Sequence, residues 1–146
     1  MIVDGQLLFS DAQQLTVEAG STNTIDTRAA NQDWGTGEAL YVVVTIDVAL
    51  ADDSSNSTLT VTLQGDSTTT ITPDHSVVLG TIPATSAAGA VFIYRLDPAA
   101  TPLLDRYLRL LYTPNNGDLS AGTVTALITH NVQRYLAHAD NVTITG

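Results

Sequence analysis

One stretch constrains the fold more than any other: Leu40-Tyr41-Val42-Val43-Val44-Thr45-Ile46-Asp47-Val48-Ala49-Leu50. Every second residue from Leu40 to Leu50 is apolar, and the alternate set, Tyr41, Val43, Thr45, Asp47 and Ala49, is mixed and turns polar along its length. Side chains on a strand alternate between faces, so this pattern predicts a strand with one dry face and one wetter face. Its β-branched and aromatic residues suit a pleated surface. A helix would instead show apolar residues three and four apart. Burying each dry-face side chain contributes roughly 1.5–3 kcal/mol before chain entropy is subtracted, which makes this strand the expected centre of the core.

Similar but shorter patterns flank it. Leu15–Glu18, Thr24–Asp26, Thr58–Gln64, Ser76–Ile82, Ala90–Leu96, Arg106–Tyr112 and Thr123–Thr129 are expected strands, and turn-rich loops separate them. Leu40–Leu50 and Thr58–Gln64 suggest a hairpin across a solvated loop. The Asn116-Gly117 pair suits a turn with positive φ. About eight short strands and no long helical stripe predict an antiparallel, jelly-roll-like β-sandwich. The 146 residues fit a single domain. We divide it into an extended N-terminal arm (1–12), a sandwich (13–130) and a C-terminal tail (131–146). The arm carries Ile2, Val3, Leu7, Leu8 and Phe9 without a strand or helix period, and Gly5 and Ser10-Asp11 interrupt it.

Composition removes several function classes. Fifteen acidic residues against five arginines and no lysine give a net charge of −10. That balance opposes binding to a phosphate backbone, so no nucleic-acid partner is expected. There is no cysteine, which excludes disulfides, thiolate metal sites and a cysteine nucleophile. No apolar run is long enough to cross a membrane, and no basic region precedes an apolar one at the N-terminus as in a secretory signal. Asp52 and Asp53 lack the ligand spacing of a calcium loop, and the histidines have no metal-site spacing. Gly65-Asp66-Ser67 is like the nucleophile block of one esterase class, but no histidine follows an aspartate at the required distance, so a turn is the better reading. No catalytic residue, cofactor or metal is therefore expected.

Several segments together resemble a known family. They are Val3-Asp4-x-Gln6-Leu7, Phe9-Ser10-Asp11-Ala12-Gln13, Leu15-Thr16, Ser21-Thr22-Asn23-x-Ile25-Asp26 and Gly37-Glu38-x-Leu40-Tyr41-Val42-Val43-Val44. Arg106-Tyr107-Leu108-Arg109-Leu110-x-Tyr112 and Ala121-Gly122-Thr123-Val124-Thr125-Ala126 continue the series. In order and spacing they resemble tailed-phage capsid cement (decoration) proteins. The resemblance implies the same sandwich fold and a structural role at the outer surface of the virion capsid, where copies bridge neighbouring subunits of the major capsid protein. It also implies a symmetric homo-oligomer, with a dimer favoured over a trimer because two-fold closure is the commonest solution.

Candidate contacts for such a partner are the arm residues, Trp34, and the arginines Arg95, Arg106 and Arg109. The bland alternatives are an arm packed as an edge strand, a Trp34 ring that lids the core, and arginines paired with local carboxylates such as Asp97 and Asp105. Two rival classes are a carbohydrate- or surface-binding β-sandwich module, which would expose a row of aromatics, and a hydrolase using Ser67 or a histidine–carboxylate pair.

Overall fold

The strand patterns fold into two facing sheets. The computed structural model describes residues 7–31, 34, 38–53, 56–97, 99–130 and 132. Among these described residues nine strands follow one another: β1 (Leu8–Gln14), β2 (Ala19–Gly20), β3 (Ile25–Asp26), β4 (Leu40–Ala51), β5 (Thr58–Asp66), β6 (His75–Pro83), β7 (Val91–Leu96), β8 (Tyr107–Asn115) and β9 (Ala121–Thr129). A short 3-10 turn at Thr101–Leu104 precedes β8. The first sheet has the order β1-β9-β4-β7, and the second β2-β8-β5-β6 with β3 also on β8.

The pairing order defines the topology. β5 pairs with β6, β4 with β7, β2 and β3 with β8, and β1 with β9, all antiparallel. Successive pairs alternate between the sheets, working outward from the β5–β6 turn. A hairpin wound up in this way is a jelly roll. Consecutive strands β4 and β5 therefore lie in different sheets, which corrects the expected hairpin between them.

The core matches the alternation of β4 over most of its length. Leu40, Val42, Val44 and Ile46 are buried against Leu59, Val61 and Leu63 of β5 and Leu108 and Leu110 of β8. Val48 does not follow and is 52% exposed. Pairing with β9 slips on both sides of Val48, and such a bulge reverses which residues face inward.

Two side chains close the ends of the core. Trp34 packs on it and donates its indole N–H to the Leu103 carbonyl at 3.1 Å, so it is a lid. Tyr94 faces inward from β7 towards β6, where only the missing side chain of Gly80 leaves room for its ring. Its hydroxyl is buried without a hydrogen-bond partner among the described residues, and burial pushes its pKa up to about 12.

β1 corrects the boundary of the arm. Leu8–Ala12 belong to an edge strand of the first sheet, and Phe9 is fully buried in the core. Two register shifts and a positive φ at Ala12 break the alternation of this strand, which is why it has no readable period. Leu7 also packs against the core, whereas Ile2 and Val3 lie outside the described residues. Leu15–Glu18, expected as a strand, forms a bend instead.

Candidate interface surfaces

The two outer sheet faces differ in kind. On the second sheet, cross-strand rows run Thr81–Thr60–Thr113, Val78–Thr62–Leu111 and Ser76–Gln64–Arg109. This face is largely hydroxyl- and amide-bearing. Asn115 donates to Thr60 Oγ1 at 2.7 Å, and Arg109 donates through Nε to Gln64 Oε1 at 2.8 Å. The outer face of the first sheet carries an apolar row across all four strands, Ile93–Val43–Leu127–Leu8. Arg95–Tyr41–Thr129 and Val91–Thr45–Thr125 flank it.

One edge of the sandwich is also apolar. β6 and β7 are the last strands of their sheets. Within β6, Ser76-Val77-Val78-Leu79-Gly80-Thr81 holds no charged residue, and Val78 is 63% exposed. Natural edge strands usually carry charges, prolines or bulges that prevent pairing with other chains. β6 has one bulge, between Val61/Gly80 and Thr62/Val78, and its titratable His75 and its proline, Pro83, stand only at its two ends. At the opposite side, the Asn23 N–H donates to the Phe9 carbonyl at 2.9 Å and ties the loop after β2 against the β1 edge. The run Ser76–Thr81 was legible as a strand, but its position at an edge is a property of topology.

The three arginines do not form a single patch. Arg95 points outward from the first sheet at its β7 edge, while Arg109 points outward from the second. Arg106 lies just before β8 and binds Asp26 on both carboxylate oxygens, at 2.9 and 3.1 Å, with its guanidinium carbon 4.8 Å from the centre of the Tyr107 ring. The Arg106 guanidinium, helped by the Arg28 N–H, holds the Asp26 carboxyl down at about 2. The partner of Arg106 is thus Asp26, a residue far away in sequence, and not Asp97 or Asp105.

The loop after β5 is a closed polar structure. Asp66 is buried, and it accepts the Thr68 N–H at 2.7 Å and the Thr68 hydroxyl at 3.0 Å. The Thr68 N–H in particular holds its carboxyl below the usual carboxylate range. The Ser67 N–H donates to Asp74. His75 Nδ1 lies 2.8 Å from Asp105 Oδ2. Among the described residues no hydroxyl is hydrogen-bonded to the other ring nitrogen of His75. Asp52 accepts the N–H groups of Asn56 and Ser57, a loop cap.

The Bbp16 family model matches residues 9–128, from Phe9 in β1 to Ile128 in β9. The chain belongs to the Bbp16 family. The matched stretch in this Bbp16-family protein runs from the first long strand to the last and leaves both terminal segments outside. No curated protein matches the chain.

Proposed function

We propose that this Bbp16-family protein is a structural virion protein that binds the outer surface of an icosahedral phage capsid and cements neighbouring major capsid protein subunits. The observation that carries the reading is the ordered series of segments, from Val3 to Ala126, resembling capsid decoration proteins. That series covers nearly the same residues as the family match. The β6 edge, whose stretch from Ser76 to Thr81 holds no ionisable side chain, supports the reading, because an open strand can accept a strand of a partner through main-chain hydrogen bonds. Residues 1–6, with Met1, Ile2 and Val3, serve as the second contact with the shell or a sister copy. Self-association is as a dimer in preference to a trimer.

The test uses capsids assembled without the protein. Added protein should sediment with them and give density bridging capsid subunits in cryo-electron microscopy, and removing residues 1–6 should weaken binding while the β circular dichroism stays intact. Full-length protein that remains in the supernatant at saturating concentration would refute the capsid role. Unchanged binding without residues 1–6 would refute their part in it.

A further inference from the structure

The Asn116-Gly117 pair stands as an exposed bend just after β8, with φ of 63° at Asn116 and 120° at Gly117. It is the one place in the chain where an asparagine precedes a glycine. A backbone nitrogen can displace the side-chain amide of the asparagine before it. A branched or bulky side chain on the attacking residue obstructs that approach, and glycine has none. The space around Gly117 is open, since a Cβ there would meet only Ser57 Oγ, at 3.8 Å. Its N–H has no hydrogen-bond acceptor among the described residues, so no bond must break before the nitrogen reacts.

Asn116 is held loosely. Its Nδ2 donates to the Asn56 carbonyl at 3.3 Å, beyond the usual range for such a bond. Asn115 is the contrast: its Nδ2 donates to Thr60 Oγ1 at 2.7 Å and to the Thr113 carbonyl at 3.2 Å, and the next residue is an asparagine. The hydroxyl of the buried Ser57 donates to the Asn116 carbonyl at 3.3 Å. That carbonyl belongs to the peptide bond whose nitrogen is that of Gly117. A donor there stabilises the negative charge that spreads onto the oxygen as the nitrogen gives up its proton.

We propose that Asn116 is a site of spontaneous covalent modification by cyclisation with Gly117. The Gly117 nitrogen loses its proton to solvent and bonds to Asn116 Cγ. The Cγ–Nδ2 bond breaks, and Nδ2 leaves as ammonia with a proton taken from water. Water then opens the cyclic succinimide at either carbonyl. Attack at Cγ gives aspartate, and attack at the main-chain carbonyl gives isoaspartate, in which the chain runs through Cγ. One water is consumed and one ammonia released beyond the ring-opening proton balance, and nothing is oxidised or reduced. The product adds one negative charge to a chain already at −10. It also places a carboxylate where a donor had faced the Asn56 carbonyl, so the bend after β8 loses its side-chain tie to the loop between β4 and β5. The inference does not depend on binding to a capsid.

The full-length chain, incubated folded at neutral and at alkaline pH and then digested for mass spectrometry, tests this. The peptide holding Asn116 should gain one mass unit before any other asparagine peptide does, and faster at alkaline pH. It should resolve into aspartate and isoaspartate forms. Ser57→Ala should slow the conversion roughly twofold to tenfold, the rate equivalent of one hydrogen bond, whereas a merely loosened loop would quicken it. Aspartate as the sole product would mean direct hydrolysis and overturn the cyclisation. Conversion at another asparagine first would overturn the site, as would a folded chain that stays intact while the urea-unfolded chain converts at Asn116. An unchanged or faster rate in Ser57→Ala would overturn the part assigned to Ser57.

Discussion

Ser10 of β1 and Tyr112 of β8 meet inside the sandwich, their hydroxyl oxygens 2.8 Å apart, and link the two sheets by a polar contact between fully buried side chains. The direction of the proton follows from the neighbours. Ser10 donates its one hydroxyl proton to Gln13 Oε1 at 2.8 Å, so Tyr112 must be the donor to Ser10. Gln13 also accepts the Thr22 N–H and donates to the Gly20 carbonyl, which completes the network. Burial pushes the Tyr112 phenol well above its ordinary pKa, so it remains a donor throughout the physiological range.

Breaking this link from its two ends should have unequal effects. Ser10→Ala strands the Tyr112 hydroxyl in a dry core and should cost about 1–3 kcal/mol, whereas Tyr112→Phe removes the group itself and should cost about 0.5–1.5 kcal/mol. Urea unfolding of both single variants and the double variant checks the order. A double variant no less stable than Ser10→Ala alone is expected, since nothing unsatisfied is then left by the serine change.

Acid should reveal the Asp26–Arg106 pair. The folded pKa of Asp26, about 2, lies below the ordinary value of 3.8, so between these values the unfolded chain binds more protons. The pair's stabilisation is fully present above the ordinary value and is lost as pH falls towards the folded one. Asp26→Asn should lower the melting temperature at neutral pH, and the gap from the parent should close as pH falls from about 4 to about 2. Added salt should narrow the gap at neutral pH, because both side chains are partly exposed.

Two glycines should respond differently to an added methyl group. A Cβ on Gly65 would stand 2.5 Å from the Pro102 carbonyl oxygen and against the Asp105 carboxylate, where the 3-10 turn crosses β5. Backbone cannot yield cheaply, so Gly65→Ala should cost about 1–3 kcal/mol or more. A Cβ on Gly20 meets only the far end of Arg109 at 3.2 Å, and that side chain can swing aside. Gly20→Ala should stay within about 0.5 kcal/mol. Thermal melts of the two variants make the comparison.

The β6 edge offers a test on the functional side. Val78→Lys places a charge in the middle of a strand that has no lysine, arginine, aspartate or glutamate, on a side chain already in water. The melting temperature should be unchanged, and cosedimentation with capsids or self-association by light scattering should weaken. Binding and association both equal to the parent's would remove this edge from the interface.

The strands were legible where alternation was unbroken. Leu59, Val61 and Leu63 on β5 and Leu40, Val42, Val44 and Ile46 on β4 are buried as their alternation predicts. β1 escaped because its bulges remove the period on which such a reading depends, and its apolar residues therefore suggested a free arm. The β4–β5 hairpin failed for a topological reason: adjacency in sequence does not require adjacency in a sheet, and in a rolled hairpin the successive strands alternate between layers. Arg106 is a candidate partner contact in the sequence, with a nearby carboxylate as the alternative, but it pairs with Asp26, which the pairing of β3 with β8 brings close. The polar link from Ser10 to Tyr112 joins positions 102 residues apart, and neither residue type marks such a contact.

The pairing of Leu8 with Leu127 has a consequence for how the protein is made. Among the described residues β9 is the last strand in chain order, yet it sits between β1 and β4 in the first sheet. β1 is made before β9 and must wait, with Phe9 and its ladder unpaired, until β9 has been synthesised. The β5–β6 hairpin can close early, but closing the first sheet requires a contact of very high sequence separation, and such contacts form slowly. The nascent chain thus carries an exposed strand for most of its synthesis, so expression yield should depend on temperature and chaperones more steeply than the stability of the finished domain would suggest.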